Sequence, residues 1–232
     1  MSDPAAVPPV DRDLSGLIAE RLGVVEDHIL AAGRRLEDVT IVAVTKGFGA
    51  EMVRAARTAG LTLFGENYAD ELLGKATELG AEGFDGRWTF QGRLQSNKIN
   101  RLARIVALWQ TVGSAEQGAA LAKRVPSAEV FVQLNLTGRP EQGGVGADGL
   151  GAVIEAAQQS GLHVRGLMGI GPDTDDRLYR RRTFAILRRA TLAHGLAETS
   201  MGMSDDYLDA LAEGSTMIRL GSVLFGRRPT LT

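Results

Sequence analysis

Lys46 is the residue of this sequence best suited to covalent chemistry. It ends a short apolar and β-branched segment, residues 41–46 (IVAVTK), whose composition is typical of a buried strand. A lysine at the end of a strand is often only solvated. If it instead lies in a concave site where its pKa is lowered, its amine can form an imine with an aldehyde or a ketone.

Two turns near the other end of the chain contain the residue types that a phosphate group requires. Gly221 and Ser222 follow the last predicted strand, and Ser204 lies in the preceding turn, MGMSDD. Glycine allows backbone N–H groups to approach an anion, and the serine hydroxyls add donors. Ser204 could also cap the helix predicted after it, and both roles are compatible. An imine-forming lysine together with a phosphate site is what pyridoxal 5'-phosphate (PLP) needs.

Arg219 and Asn67 also fall near the ends of predicted strands, and each has two interpretations. Arg219 either pairs with a neighbouring carboxylate or faces the pyridine nitrogen of the cofactor. A guanidinium stays protonated, so in the second case the pyridine nitrogen would stay unprotonated and the ring would be a weaker electron sink. Asn67, in the loop GENY, either orients the lysine or the cofactor or is simply a turn residue.

An alternation of strands and helices is predicted to position these residues. After a first helix that ends at Gly33, strands are expected at residues 41–45, 61–64, 88–91, 108–112, 129–136, 164–170, 199–203 and 216–220. About eight strand–helix units predict an α/β TIM (β/α)8 barrel, a single domain over residues 14–232 with an extra N-terminal helix. A doubly wound open sheet is the alternative, but TKGFGA follows the first strand in place of its glycine-rich fingerprint. Residues 1–13 are expected to form a flexible tail.

Composition and charge exclude several other classes of function. The 232 residues include no cysteine, which excludes disulfides, thiol catalysis and Cys-ligated metals. The three histidines, His28, His163 and His194, lack ligand spacing, so we expect no metal site. A net charge of −2 argues against nucleic-acid or membrane-surface binding. No apolar run approaches the ~20 residues of a membrane span, and the N-terminus lacks a signal-peptide pattern, so we expect a cytoplasmic protein.

Six segments, in order along the chain, resemble the pyridoxal-phosphate-binding homeostasis proteins, a family related to the N-terminal barrel of alanine racemase. They are AVTK, FGENY, WTFQGRLQSNK, RGLMGI, MGMSDD and STMIRLGSVLFG. The resemblance implies that PLP forms a Schiff base with Lys46. It also implies cofactor contacts from residues that follow the strands, namely Met168, Ser204, Gly221 and Ser222, with Arg219 at the pyridine nitrogen. The implied role is the control of free PLP and of amino-acid balance, without robust catalysis.

Two positions depart from the pattern of that family. Thr89 stands in WTFQG where family members usually have histidine, and Gln142 stands in the loop after the fifth predicted strand where they usually have lysine. The first change removes an aromatic or acid–base contact near the cofactor. The second removes a candidate amine for handing the cofactor on.

The sequence leaves three functions open. The leading hypothesis is a PLP-binding protein that holds and releases the cofactor, with PLP-dependent apo-enzymes as recipients. The alternative is a fold-type III PLP enzyme such as a weak amino-acid racemase. Racemisation by such an enzyme needs a tyrosine base from a second domain. None of the three tyrosines of this sequence lies in a comparable segment: Tyr68, Tyr179 and Tyr207. A third is a phosphosugar-binding barrel enzyme, in which Lys46 would react with a sugar carbonyl. Because the second domain that completes the racemase dimer is not expected, we expect a monomer.

Overall fold

Eight parallel strands form a closed barrel in the computed structural model, which describes residues 11–228. The strands pair in chain order, and the eighth pairs with the first. They are β1 (Thr40–Val44), β2 (Leu63–Glu66), β3 (Arg87–Phe90), β4 (Val106–Val112), β5 (Glu129–Gln133), β6 (His163–Met168), β7 (Glu198–Met203) and β8 (Met217–Leu220). The predicted TIM barrel is confirmed, and all strand C-termini lie at one end of it.

Helices follow the strands and surround the barrel. They are α1 (Asp11–Ala31), α2 (Ala50–Thr58), α3 (Ala69–Gly80), α4 (Ser96–Leu102), α5 (Ala115–Ala122), α6 (Leu150–Gln159), α7 (Arg177–Ala193), α8 (Tyr207–Ala212) and α9 (Ser222–Phe225). The predicted extra helix, α1, precedes the first strand and contacts α2 and α9. It begins at Asp11, so the end of the predicted tail is helical, while residues 1–10 lie outside the described part of the chain. None of the helices within residues 11–228 has the length and apolarity needed to cross a membrane.

The strands separate two buried apolar clusters. The smaller cluster joins residues from opposite sides of the ring and therefore lies inside the barrel: Val42, Val44, Leu108, Phe131, Met168 and Met217. Ala43 belongs to the larger cluster between strands and helices. This alternation along β1 is the two-residue repeat of a strand, and it explains why an apolar run without polar residues forms a strand that is buried on both faces.

Most strand boundaries lie within two residues of the predicted ones, and the differences at the ends of β2 and β5 have a clear structural reason. Strand β2 extends through Gly65 and Glu66, which were predicted as part of the loop GENY, because the Glu66 backbone pairs with Phe90 and its side chain is fully buried. Strand β5 ends at Gln133 rather than at residue 136, because Leu134 forms an isolated bridge with the loop residue Val145. The carboxylate of Glu66 has its partners, Thr45 and Lys75, inside the protein.

Candidate functional site

A cavity of about 380 Å³ lies at the C-terminal ends of the strands, a size that suits a small ligand. The structure brings all seven predicted site residues into its wall: Lys46, Asn67, Met168, Ser204, Arg219, Gly221 and Ser222. They come from the ends of β1, β2, β6, β7 and β8 or from the turns that follow. These residues are far apart in the sequence, and the closure of the barrel between β1 and β8 places the lysine next to the last two turns.

Lys46 lies two residues after the end of β1 and is half-buried. Burial, together with the positive charges of Arg228 and Arg219, lowers the pKa of its amine below the usual range. Two carboxylates, Glu66 and Glu71, partly oppose this effect. A lowered pKa leaves a larger fraction of the amine unprotonated at neutral pH, which is the form that attacks a carbonyl. The environment of Lys46 therefore differs from that of a solvated surface lysine.

The Ser204 hydroxyl connects the turns after β7 and β8. Its Oγ accepts hydrogen bonds from the backbone N–H groups of Gly221 and Val223, both at 3.2 Å. The alternative role of Ser204 as a cap of helix α8 is wrong, because that helix begins at Tyr207 with Asp206 at its N-cap position. The Ser204 O–H and the Ser222 hydroxyl are donors suited to an anion, and the two backbone N–H groups can join them where an anion takes the place of Ser204 Oγ as their acceptor.

Arg219 is buried on β8, and within residues 11–228 its hydrogen-bond partners are all neutral oxygens. Its Nη1 donates to the carbonyl and the hydroxyl of Ser200 at 2.8 and 2.9 Å, and its Nη2 donates to the carbonyl of Gly169 at 2.9 Å. The expected alternative, a direct pair with a carboxylate, is therefore wrong. Burial lowers the Arg219 pKa to about 10, although the nearby charge of Asp206 opposes this. The guanidinium still remains protonated at neutral pH.

A chain of buried hydrogen bonds extends from Arg219 across the barrel. The Ser200 hydroxyl donates to Gln110 Oε1 at 2.7 Å, and Gln110 Nε2 donates to Thr89 Oγ1 at 2.9 Å. Ser200, Gln110 and Thr89 are all fully buried. Thr89, one of the two departures from the family pattern, is therefore connected to Arg219 through Gln110 and Ser200.

Asn67 and Met168 lie in a wall that the cavity shares with a neighbouring cavity of about 610 Å³. Two buried polar atoms in this wall, Asn67 Oδ1 and Gln91 Nε2, have no hydrogen-bond partner among the residues that the structure describes. Buried polar groups in proteins are nearly always paired, so these atoms are suited to a ligand. Gln142, the other departure, lines only the neighbouring cavity, where its Oε1 accepts a hydrogen bond from Thr137 at 2.7 Å.

Arg227 and Arg228 also line the cavity, and sequence reasoning did not identify them. The signal was present as GRRP directly after the last predicted turn, but nothing in the sequence shows that this segment passes over the barrel end. Lys46 and Arg219 are further cations in the same wall. Among the described residues that line the cavity, Asp205 is the single acidic one, so the wall is cationic. Such a cavity attracts anions. In residues 11–228 no group of three or more His, Asp and Glu side chains is arranged to hold a metal ion.

The barrel and its site place the chain in a known class of domain. Residues 21–229 match the family model described as the N-terminal domain of alanine racemase. The alanine racemase of Clostridium difficile has the same fold, with a TM-score of 0.72 at 14% identity, over 93% of this chain and 58% of that chain.

Closer relatives define a narrower family. The chain is 37% identical over 218 residues to the pyridoxal phosphate homeostasis protein of Pseudomonas aeruginosa, covering 91% of this chain and 94% of that protein. The structure of PipY from Synechococcus elongatus with PLP bound has a TM-score of 0.80 and 31% identity, over 90% of this chain and all of PipY. The chain therefore belongs to the family of pyridoxal phosphate homeostasis proteins.

Proposed function

We propose that this protein binds PLP through a Schiff base at Lys46 and holds and releases it in the control of intracellular PLP and amino-acid levels. One observation supports this most: the Lys46 amine, whose pKa is lowered, and the donors around Ser204 lie in the same cationic cavity. The relative PipY, whose structure has PLP bound, has the same fold over nearly the whole chain.

The groups in the cavity fit the chemistry of PLP. Bound PLP supplies an aldehyde, a phosphate and an electron-withdrawing ring. Lys46 provides the amine for the aldehyde, and the hydroxyls of Ser204 and Ser222 provide donors for the phosphate. The backbone N–H of Gly221, which donates to Ser204 Oγ in this structure, would join them once the phosphate takes the place of that acceptor. The cationic Arg227 and Arg228 add positive charge in the same wall.

Arg219 is proposed to face the pyridine nitrogen. Its hydrogen bonds to Ser200 and Gly169 use neutral oxygens, none of which can take its proton. A protonated guanidinium donates a hydrogen bond, so the ring nitrogen facing it stays an unprotonated acceptor. The ring is then a weak electron sink, which favours holding the cofactor over carbanion chemistry.

The arrangement of tyrosines also favours holding over racemisation. Two-base racemisation needs a second base on the face opposite to the lysine. Among the residues that the structure describes, no tyrosine lines the cavity of Lys46, and Tyr68 lines only the neighbouring cavity. We therefore propose a protein without robust catalysis, which releases PLP by exchange of the amine and supplies apo-enzymes that depend on it. As separate parts of the proposal, the protein is monomeric and cytoplasmic.

The test is the visible absorbance spectrum with added PLP, followed by borohydride reduction and peptide mapping. We expect an imine band and a reduced adduct on Lys46. Both should be lost in Lys46→Ala and kept in Lys98→Ala, a control in the wall of the neighbouring cavity. Absence of the band at saturating PLP would contradict the proposal and favour a phosphosugar ligand. Rapid exchange of the α-proton of an added amino acid with deuterated water would instead identify an enzyme.

A further inference from the structure

The backbone on both sides of Lys46 is bound by two side chains of helix α3. Lys75 Nζ donates to the carbonyl of Thr45 at 2.7 Å, and the N–H of Gly47 donates to Glu71 Oε2 at 2.7 Å. Glu71 and Lys75 are one helical turn apart, and Nζ lies 3.6 Å from Oε2. One rigid element therefore fixes the peptide groups that precede and follow the reactive lysine.

The Lys75 side chain is itself fixed by the end of strand β2. Its Nζ lies 2.6 Å from Glu66 Oε1, and the Thr45 hydroxyl donates to the same oxygen at 2.6 Å. The side chain of Lys75 is 7% exposed and that of Glu66 is fully buried, so water does not compete for these contacts. An ammonium group that donates to a carboxylate and to a carbonyl has no free electron pair for attack on an aldehyde.

The turn at Lys46 is tight. The N–H of Phe48 donates to the carbonyl of Thr45 at 3.1 Å, and Gly47 has a φ of 77°, in the left-handed region. No strand pairing includes residue 46 or 47, because β1 ends at Val44. The contacts from helix α3 take over where the sheet no longer fixes the backbone.

We propose that Glu71 and Lys75 are positioning residues for Lys46: they fix the backbone of Lys46 so that the Lys46 side chain enters the cavity. The pairing of Lys75 with Glu66 in turn leaves Lys46 as the reactive amine. The identity of the aldehyde rests on the proposed function. The fixing of the backbone does not, and it can be measured without any ligand.

The first test is hydrogen exchange of the Gly47 amide, followed by NMR in the protein without added PLP. Glu71→Ala removes the acceptor and should speed exchange about tenfold, whereas Glu71→Gln keeps an oxygen of similar reach and should retain slow exchange. Glu78→Ala, which removes an exposed ion pair of the same helix with Arg54, is the control and should leave the Gly47 amide unchanged. Equal exchange rates in Glu71→Ala and the unaltered protein would overturn the inference.

The second test is the rate at which borohydride traps PLP on Lys46. Lys75→Met alone would leave the Glu66 carboxylate buried without its cation and could unfold the chain. The double variant Glu66→Gln/Lys75→Met removes both charges and avoids this. We expect trapping on Lys46 to slow about tenfold in the double variant and in Glu71→Ala, and to keep its rate or increase in Glu71→Gln.

The outcomes separate the inference from the proposed function. If the Gly47 amide responds as expected but the unaltered protein traps no PLP, the proposed function fails and the role of helix α3 in fixing the backbone stands. If the unaltered protein traps PLP on Lys75 as well as on Lys46, or if the double variant traps it at the unaltered rate, the inference fails and the proposed function stands.

Discussion

The Ser204 hydroxyl accepts a hydrogen bond from the backbone N–H of Gly221 at 3.2 Å, across the boundary between the β7 and β8 turns. The same oxygen accepts from Val223 at 3.2 Å. One side chain thus aligns two backbone donors that belong to another turn. Both N–H groups point at the Ser204 oxygen, so the contact holds the two turns together.

Ser204→Ala should therefore weaken binding of PLP more than binding of pyridoxal, which lacks the phosphate. Removing a hydrogen bond to a charged group costs about 1.5–3 kcal/mol, so we expect roughly a 10- to 100-fold loss of PLP affinity. Pyridoxal should lose no more than about twofold, because its contacts do not involve the donors around Ser204. Absorbance titrations with the two ligands measure both constants. An equal loss for both would show that Ser204 acts on the fold rather than on the phosphate.

Ser200→Ala should destabilise the protein by interrupting the buried chain of hydrogen bonds. The change leaves one Arg219 N–H and Gln110 Oε1 without the hydroxyl between them. An unpaired buried polar group costs about 1–3 kcal/mol, and the measurement is the free energy of unfolding in urea. Ser160→Ala is the control, since its hydroxyl is exposed at the C-cap of helix α6, and we expect it to change stability by less than about 0.5 kcal/mol. Similar values for the two variants would contradict the importance of the chain.

The barrel was predictable from sequence because the signals for its elements are local. Val42 and Val44 alternate with Ala43 within one apolar run, and glycines such as Gly60 and Gly161 follow several of the helices. The candidate site was predictable for a related reason. In a parallel barrel all strand ends meet on one face, so chemistry-bearing residues after different strands must converge there, as Lys46 and Ser204 do.

The remaining features depend on contacts between distant residues. Glu66 was predicted in the loop GENY, whereas it ends β2 and its partner Lys75 comes from the following helix. Arg219 was given a carboxylate partner as one alternative, but its partners are Ser200 and the backbone carbonyl of Gly169, directly after β6. Arg228 was missed because only the course of the chain after helix α9 brings it to Lys46. No periodicity encodes such pairings.

Arg228→Ala should raise the pKa of the Lys46 amine. The positive charge of Arg228 disfavours a second cation nearby and so lowers this pKa, after the larger effect of burial. Its removal moves the pKa back toward that of an ordinary lysine, so less of the amine is unprotonated at neutral pH. Competitive labelling of amines over a range of pH, read by peptide mass, measures the midpoint for Lys46.

Arg227→Ala is the matched control for that measurement. Arg227 lines the same cavity, but it is not among the charges that shift the pKa of Lys46. We expect the titration midpoint of Lys46 in Arg227→Ala to lie close to the midpoint in the unaltered protein, and the midpoint of Lys46 in Arg228→Ala to lie higher. A shift of equal size in both variants would indicate a general effect of net charge rather than the proximity of Arg228.

Gly47→Ala should impair the site beyond its cost in stability, in contrast to Gly33→Ala. Both glycines have a left-handed backbone, with φ of 77° and 72°, so each substitution should cost about 1 kcal/mol in the free energy of unfolding. A Cβ at Gly33 would meet open space, whereas one at Gly47 would lie 3.0 Å from Arg228 Cδ. The exposed Arg228 side chain can move away, which limits the cost in stability but removes its charge from Lys46. We therefore expect similar unfolding curves for the two variants and weaker PLP binding only in Gly47→Ala. Coincident PLP titrations of the two variants would contradict a role for the proximity of Arg228 to Gly47.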